Sequence, residues 1–364
     1  MAERVAIVGS GLAALAAYAT LRHGGVHAEE IAVFGTHADP TEVWRTRAAA
    51  IRQQRMRSES DGHLGAASWP GLALRERRAG ALLETVTNRY HPTVGLFLRH
   101  AQRVRERSGW DASFRMQRIE RITAAEGGFQ LNGGVFAHVL VATGHPGLEV
   151  PDEYAADPRT VHAYEPHEYA SRVAIVGAGM AAATEWLNAL AAGAEVVSIR
   201  RREPTRRPLN VPRPLLTKRG LAPYHASSPE QRAATLRTLS QPSYPPGPEW
   251  DEPLRAGERS SRFRVSDTSL STVRRWSEQI ICATGFREGW QHDPLLARLV
   301  ADHGLETHDR WIVLTPDSTV PALTDATRTL SLAGVAAQWA FPAADTIAGA
   351  KYAAHAFLRR CRTR

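Results

Sequence analysis

Short, wholly apolar runs alternate along the chain with alanine-rich stretches of helical spacing. Val5–Val8 reads as a buried strand, Leu12–Leu21 as a helix and Ile31–Phe34 as the next strand. That is one strand–helix–strand unit. A second runs from Arg172 to Ile199, and it opens on the same hexapeptide: RVAIVG spans both Arg4–Gly9 and Arg172–Gly177. Between them, Thr93–Arg107 predicts a helix with Val94, Phe97, Leu98, Ala101 and Val104 at helical spacing. Strands are expected at Phe114–Ile122, Phe129–Leu131 and Ala137–Val141, the first two joined by the turn EGGF as in a hairpin. Glu278–Ala283 and Leu330–Ala333 read as later strands, and the region Ala344–Arg359 as a final helix. Apart from the doubled unit the pattern contains no repeat.

One stretch breaks the pattern. Residues 203–254 hold about half of the chain's 22 prolines, and only Pro229–Leu239 within them reads as helical. A loop of this length in a compact protein is a lid, a binding insert or a disordered segment. Tyr224, Tyr244 and Trp250 favour an ordered insert.

The repeated hexapeptide leads into two glycine turns. Gly9-Ser10-Gly11-Leu12-Ala13-Ala14 and Gly177-Ala178-Gly179-Met180-Ala181-Ala182 both fit GxGxxA, each after a predicted strand and before a predicted helix. The first glycine permits the tight turn. The second lets a pyrophosphate reach the backbone, and the small third residue lets helix and strand pack closely. The helix N-terminus supplies amide donors and a positive dipole. Two dinucleotide sites follow.

An acidic residue at the end of the second strand normally bonds the adenosine ribose. The second unit has Arg200, Arg201 and Arg202 there instead. Guanidiniums suit a 2′-phosphate, which a carboxylate would repel, so this site is read as one for NADPH. The first unit also lacks the acid, with Gly35 in its place. Asp39, Glu42 or a backbone group is left to replace the contact.

Composition adds bounds. The length suits two domains, and a hydrophobic share of 43% supplies sizeable cores. Val5–Leu21 carries glycines and a strand-then-helix pattern unlike a signal peptide, and no apolar run is long enough to span a membrane. The formal net charge is +8, with arginines dense at 200–207, 213–219 and 255–275. No nucleic-acid-binding module accompanies them, so they read as solvated surface and a pocket for an anionic cofactor. Cys282 and Cys361 are the two cysteines, without CxxC spacing or a disulfide framework. No HExxH spacing or other metal-binding set is present. A cytoplasmic protein is expected.

Further segments give the pattern a likeness. VLVATGHP (Val139–Pro146) and IICATGF (Ile280–Phe286) look like the paired crossover strands of the two-dinucleotide-binding-domain flavoproteins. LSLAGVAAQWAFPAADTIAGAKYAAHAF resembles the closing segment in which a strand, a glycine and a helix N-terminus meet the flavin. The disulfide reductases of that superfamily need a redox cysteine pair, which is missing. The class B flavin-dependent monooxygenases fit better. TEVWRTRAAAIRQQRMRSES is similar to their segment with a Trp (Trp44) followed by a strand along the flavin (Arg57, Ser58), although the usual preceding GG is absent. VHAYEPHEYASRVAIVG resembles a degenerate form of their fingerprint, with His162 and Tyr169, and does not support the Baeyer–Villiger subgroup.

The resemblance implies an α/β chain of two Rossmann-like three-layer dinucleotide-binding domains. The FAD-binding domain spans 1–165 and 283–364; an NADPH-binding domain, 166–282, is nested in it with the proline-rich insert. In such enzymes NADPH reduces FAD, and the reduced flavin takes O2 to a C4a-(hydro)peroxide that oxygenates a soft nucleophile. The implied FAD contacts are Gly9, Ser10, Gly11, Leu12, Ala13, Phe34, Gly35, Trp44, Ser58, Ile119, Ala142, Thr143, Gly144, Gly334 and Asp345, the last of which contacts the flavin or caps the final helix. Those for NADPH are Gly177, Ala178, Gly179, Met180, Ala181, Arg200, Arg201, Arg202, Thr284 and Gly285. Arg57 is a candidate to steady the peroxide, or it pairs with Glu59 or Asp61. His63 is a candidate proton relay, or a surface histidine. Trp339 and Phe341 line the substrate pocket or pack the core, and Asn210 and Arg213 reach toward the nicotinamide.

The expected partners are a small-molecule substrate and O2, with neither nucleic acid nor membrane; a homodimer is left open. Two other readings stand beside the monooxygenase: an NADPH-dependent flavin reductase or electron-transfer protein, and an NADP(H)-binding sensor that has lost FAD.

Overall fold

The computed structural model describes residues 4–56, 80, 92–207, 210–266 and 270–362. The first half of the chain forms β1 (Val5–Val8), α1 (Leu12–His23), β2 (Ile31–Gly35), α2 (Glu42–Ala50), α3 (Val94–Ser108) and β3 (Phe114–Met116). An antiparallel meander follows, β4 (Thr123–Ala125), β5 (Gly128–Leu131) and β6 (Gly134–Phe136), and then β7 (His138–Val141). The expected strand Phe114–Ile122 is therefore shorter, ending at Met116, and the hairpin around Gly127, in the left-handed region at φ 74°, joins the separate strand β4 to β5.

The second half forms β8 (Thr160–His162), β9 (Arg172–Val176), α4 (Met180–Ala191), β10 (Glu195–Ile199), β11 (Thr205–Arg206), α5 (Lys218–Ala226), α6 (Pro229–Leu239), β12 (Ser243–Tyr244), α7 (Pro248–Arg259), β13 (Phe263–Ser266) and β14 (Gln279–Cys282). The chain then returns through α8 (Pro294–His303), the short pair β15 (Thr307–His308) and β16 (Trp311–Ile312), β17 (Thr329–Leu332) and α9 (Ile347–Arg362).

Two five-stranded parallel sheets result, in the orders β17-β7-β1-β2-β3 and β13-β10-β9-β14-β8. Each copy of the hexapeptide is the central strand of its sheet. β1, β2 and β7 are buried along their whole length, and so are the last four residues of β9, as parallel strands covered on both faces require. On one side of the first sheet, α1 packs along α9 in a core with Leu15, Tyr18, Leu21, Trp110 and Phe357. Complete burial of a side chain such as Leu21 or Phe357 contributes about 2 kcal/mol.

The insert is ordered and mostly helical, which corrects the expectation of a single helix. Pro229 and Pro248 occupy the first positions of α6 and α7, where a missing N–H costs nothing. Leu221, Tyr224, Ala233 and Leu236 share a core with Trp311, Leu330 and Trp339 of the first domain. The Tyr224 hydroxyl donates to the Trp339 carbonyl at 3.1 Å. The first part of the insert thus packs on the FAD-type domain rather than on the domain whose sequence contains it. The later part, α7, packs on α4. Among the described residues no helix is long and apolar enough to cross a membrane.

Candidate functional site

The two glycine turns have the same construction. Gly9 has φ 124° and Gly177 φ 130°, in the left-handed region that disfavours other residues. A Cβ on Gly9 would lie 2.1 Å from the Ala142 carbonyl oxygen, and one on Gly177 2.4 Å from that of Ala283. Each turn therefore rests on the alanine of one ATG segment, and the likeness between the two halves extends to this contact.

Gly11 and Gly179 face open space, with no atom within 4 Å of an added Cβ. They are the N-caps of α1 and α4, and no side chain caps either helix. The first amides of both helices are left for a ligand, so the donors present fit a pyrophosphate at each turn. Leu12 and Ala13 begin α1; Met180 and Ala181 begin α4. Gly334, at φ 65°, brings the closing segment to within 3.8 Å of Ala13 Cβ, measured from an added Cβ.

A cleft of about 1210 Å³ lies between the domains. It is lined by Gly144 and Gly285 of the two ATG segments, by the second turn from Gly177 to Ala181, by Thr284, and by Asp345. Thr143 does not face the cleft freely: its hydroxyl donates to Asp293 Oδ2 at 2.6 Å, while Asp293 Oδ1 caps α8 through Leu295 and Leu296. Thr284 donates to the Glu149 carbonyl. Both crossover threonines thus tie the segments in place. Asp293 was not singled out in the sequence, although an Asp-Pro at a helix start is a capping signal.

Beside the crossovers, Phe286 stacks with His145 at 4.0 Å and with Tyr164 at 5.1 Å, and Arg47 of α2 lies 4.7 Å from the Phe286 centroid. Burial, with the Arg47 charge, lowers the His145 pKa to about 4, so its ring is neutral. His162 bonds to the Gly285 carbonyl at 3.0 Å.

The three arginines after β10 separate. Arg201 and Arg202 line the cleft and are exposed. Arg200 turns into a smaller neighbouring pocket, where it pairs with Glu203 at 3.0 Å and lies 5.9 Å from the Trp186 ring. The 2′-phosphate role expected of all three is open to two.

At the first site Gly35 is not a simple gap. A Cβ there would meet Ser10 Cβ and Oγ at 2.3 Å. Ser10 Oγ accepts from the His37 amide at 3.2 Å, and the His37 ring pairs with Glu42 at 3.1 Å. Asp39 is occupied by Thr41 and Arg45. Of the two acids considered as replacements, Glu42 is thus tied through His37 to the glycine turn.

Other expected contacts belong to the core. Phe34 and Ile119 are buried in the first domain, Phe34 edge-on to Phe136 at 5.8 Å. Trp44 packs against Phe97 at 5.1 Å. Trp339 and Phe341 are buried and do not line the cleft. Asn210 lines it and Arg213 does not. Arg57, Ser58 and His63 lie outside the described residues.

Asp345 lines the cleft with its side chain exposed to the open space there, and the protein packed around the cleft wall pushes its pKa up to about 6. Of the other acids that line the cleft, Asp293 is engaged as above, Glu288 pairs with Arg310 and Glu149 lies 3.9 Å from Arg287, while Glu153 is exposed. Among the described residues Asp345 has no cationic partner. Cys282 and Cys361 are buried in separate domains, and burial raises both thiols to about 12. They cannot act as a thiolate pair.

No protein-family model and no curated protein sequence matches the chain. Solved structures do. An ornithine hydroxylase from Pseudomonas aeruginosa matches with TM-score 0.71 at 15% identity, over 100% of both chains. The fold is shared with flavoprotein N-hydroxylases. An ornithine N-hydroxylase from Kutzneria sp. 744, solved with reduced FAD, NADP+ and L-ornithine, matches with TM-score 0.74 at 14% identity, over 99% of this chain and 100% of the other. A bacillithiol disulfide reductase from Bacillus cereus matches with TM-score 0.60 at 14% identity, over 99% and 100%. The likeness establishes a shared α/β fold of parallel sheets.

Proposed function

We propose that the protein is an FAD- and NADPH-dependent monooxygenase that hydroxylates the amino group of a small molecule. The observation that carries this reading is Asp345, a carboxylate that lines the cleft, exposed to it and with no cation paired to it among the described residues, on the segment that closes against the first glycine turn. An ammonium substrate supplies the missing charge. The N-hydroxylase neighbours, whose TM-scores of 0.71 and 0.74 exceed the 0.60 of the disulfide reductase, support the same class.

Bound FAD supplies hydride acceptance from NADPH and oxygen activation, chemistry that no protein side chain offers. The residues do the rest. Gly9–Ala13 and the N-terminus of α1 hold the FAD pyrophosphate, and Gly177–Ala181 with the N-terminus of α4 hold that of NADPH. Arg201 and Arg202 take the 2′-phosphate. The ATG segments, fixed by Thr143–Asp293 and Thr284–Glu149, carry the nicotinamide side toward the flavin side of the cleft. Asp345, ionised above about pH 6, holds the ammonium by charge and accepts a proton as the amine is freed. The buried thiols argue against dithiol reduction as the activity.

The test is direct. Purified protein is expected to be yellow, to oxidise NADPH faster with a substrate from a panel of diamines and basic amino acids, and to release a hydroxylamine. If no primary amine yields hydroxylamine while quinones or cytochromes are reduced rapidly, the electron-transfer reading replaces this one.

A further inference from the structure

Helix α2 touches both domains along its length. Trp44 packs on Phe97 in the core of the first domain. Arg47 and Ile51 follow three and seven residues after Trp44, along the same side of the helix, and meet the other domain. Arg47 lies over Phe286 beyond the second crossover, and Ile51 is 3% exposed within the core of the NADPH-type domain.

The chain turns sharply at the helix end. Arg52 has φ 48°, a left-handed conformation that costs a non-glycine residue free energy and persists only where contacts hold it. The backbone turn is closed locally, the Arg52 amide donating to the Ala49 carbonyl at 2.9 Å and the Gln53 amide to the Ala48 carbonyl at 2.8 Å, while the Arg52 side chain reaches the other domain. Arg52 donates to the His167 carbonyl at 3.2 Å, pairs with Glu168 at 2.9 Å and sits 4.5 Å from the Tyr169 centroid. Asn188 of α4 donates to the Ile51 carbonyl at 2.8 Å.

Beneath this corner is a closed polar cluster. Glu185, in the middle of α4 and fully buried, accepts from the Tyr169 hydroxyl at 2.8 Å and pairs with the His167 ring at 3.0 Å. Burial opposes the charging of His167, but its bonds to Glu185 and to the Glu165 carbonyl outweigh that and raise its pKa. Burying a carboxylate in a helix is costly unless it is paired, so this cluster fixes α4 to the 167–169 segment. The same α4 presents its N-terminus to the NADPH pyrophosphate.

We infer that the Ile51–Arg52 corner docks the FAD-type domain onto α4, and that Arg52 and Asn188 are positioning residues that set the nicotinamide carrier in register with the flavin. Neither residue lines the cleft. They act through the placement of α4 and not by touching a cofactor. This inference rests on the proposed NADPH-to-flavin hydride transfer.

The experiment is anaerobic stopped-flow reduction of the purified holoenzyme by NADPH, in wild type, Arg52→Ala, Asn188→Ala and Arg52→Lys, with solution scattering on each. Arg52→Ala and Asn188→Ala are expected to slow flavin reduction about tenfold, as a small misplacement of reacting groups does. NADPH affinity should stay within about twofold, and Arg52→Lys should recover part of the rate by keeping the Glu168 pair. The scattering curves of the two alanine variants should broaden relative to wild type. An unchanged reduction rate in both alanine variants overturns the inference, and so does a loss of NADPH affinity as large as the loss of rate. Asn188→Ala removes no charge, so it keeps the test available if Arg52→Ala does not retain flavin. A wild-type flavin that NADPH cannot reduce defeats the activity reading instead; docking is then scored by scattering alone, and identical curves overturn it.

Discussion

Ser10 occupies the space that a side chain at Gly35 would need: an added Cβ falls 2.3 Å from both Ser10 Cβ and Ser10 Oγ. The two positions behave as a pair. Gly35→Glu alone is therefore expected to lower FAD content and thermal stability, whereas Ser10→Gly with Gly35→Glu tolerates the carboxylate and tightens FAD about tenfold through a charge-assisted ribose bond. Fluorescence titration of the apoprotein with FAD distinguishes the outcomes. Equal FAD affinity in the single and double variants would refute the pairing.

Arg201 and Arg202 face the cleft while Arg200 is held by Glu203 and Trp186. Removing the first two should raise the KM for NADPH by about ten- to a hundredfold with little change for NADH, since each loses a charge-assisted bond. Arg200→Ala should leave the coenzyme preference intact and lower the melting temperature slightly. A switch toward NADH in Arg200→Ala counts against this division of roles.

Asp345 gives a pH dependence of defined sign. Its folded pKa, about 6, lies above the ordinary 3.8, so the folded apoprotein binds an extra proton between those values. Stability is full below that window and falls as pH rises through it. Asp345→Asn should melt with wild type below about pH 4 and above wild type beyond about pH 6. In the holoenzyme, kcat/KM for the amine should gain an acid limb near that pKa, and the variant should lose it. Superimposable pH profiles for the two proteins would contradict the role assigned to this carboxylate.

Cys282 and Cys361 lie in separate cores with thiols near 12. At neutral pH neither is a useful nucleophile. The native protein should react slowly with thiol reagents and fully only after unfolding. Cys282→Ala with Cys361→Ala should keep the rate of NADPH-driven flavin reduction within about twofold, at some cost in stability. A large drop in that rate, with flavin retained, would revive a thiol-based mechanism.

Both nucleotide units were legible in the sequence because their signal is local. A buried strand, Gly9 or Gly177 at positive φ, and a small-residue helix start lie within a few positions of one another. The insert was less legible. Its prolines read as breakers, yet Pro229 and Pro248 start helices, and Pro223 sits inside α5 where packing of Leu221 and Tyr224 on the first domain supports the helix. Asp345 was visible as a candidate, but its lack of a cation depends on residues far away in sequence. The Ile51–Arg52 docking had no local signal at all, since an isoleucine after a helix looks the same in one core as in another. Arg200 differs from its neighbours only in which side of the chain it leaves.

The outer strand of the first sheet, β17, comes from Thr329–Leu332, and α1 is covered by α9 at the other end of the chain. The nested sheet is complete by Cys282. On the ribosome, the inner domain can therefore close before the outer one that began it. Until the last strand emerges, β7 has an unpaired edge that carries Val139, Leu140 and Val141, and α1 lacks its cover. Such an edge invites pairing with other chains. The order in which the two domains mature is thus the reverse of the order in which they are first synthesised, and the window of greatest aggregation hazard lasts until β17 and α9 have been made.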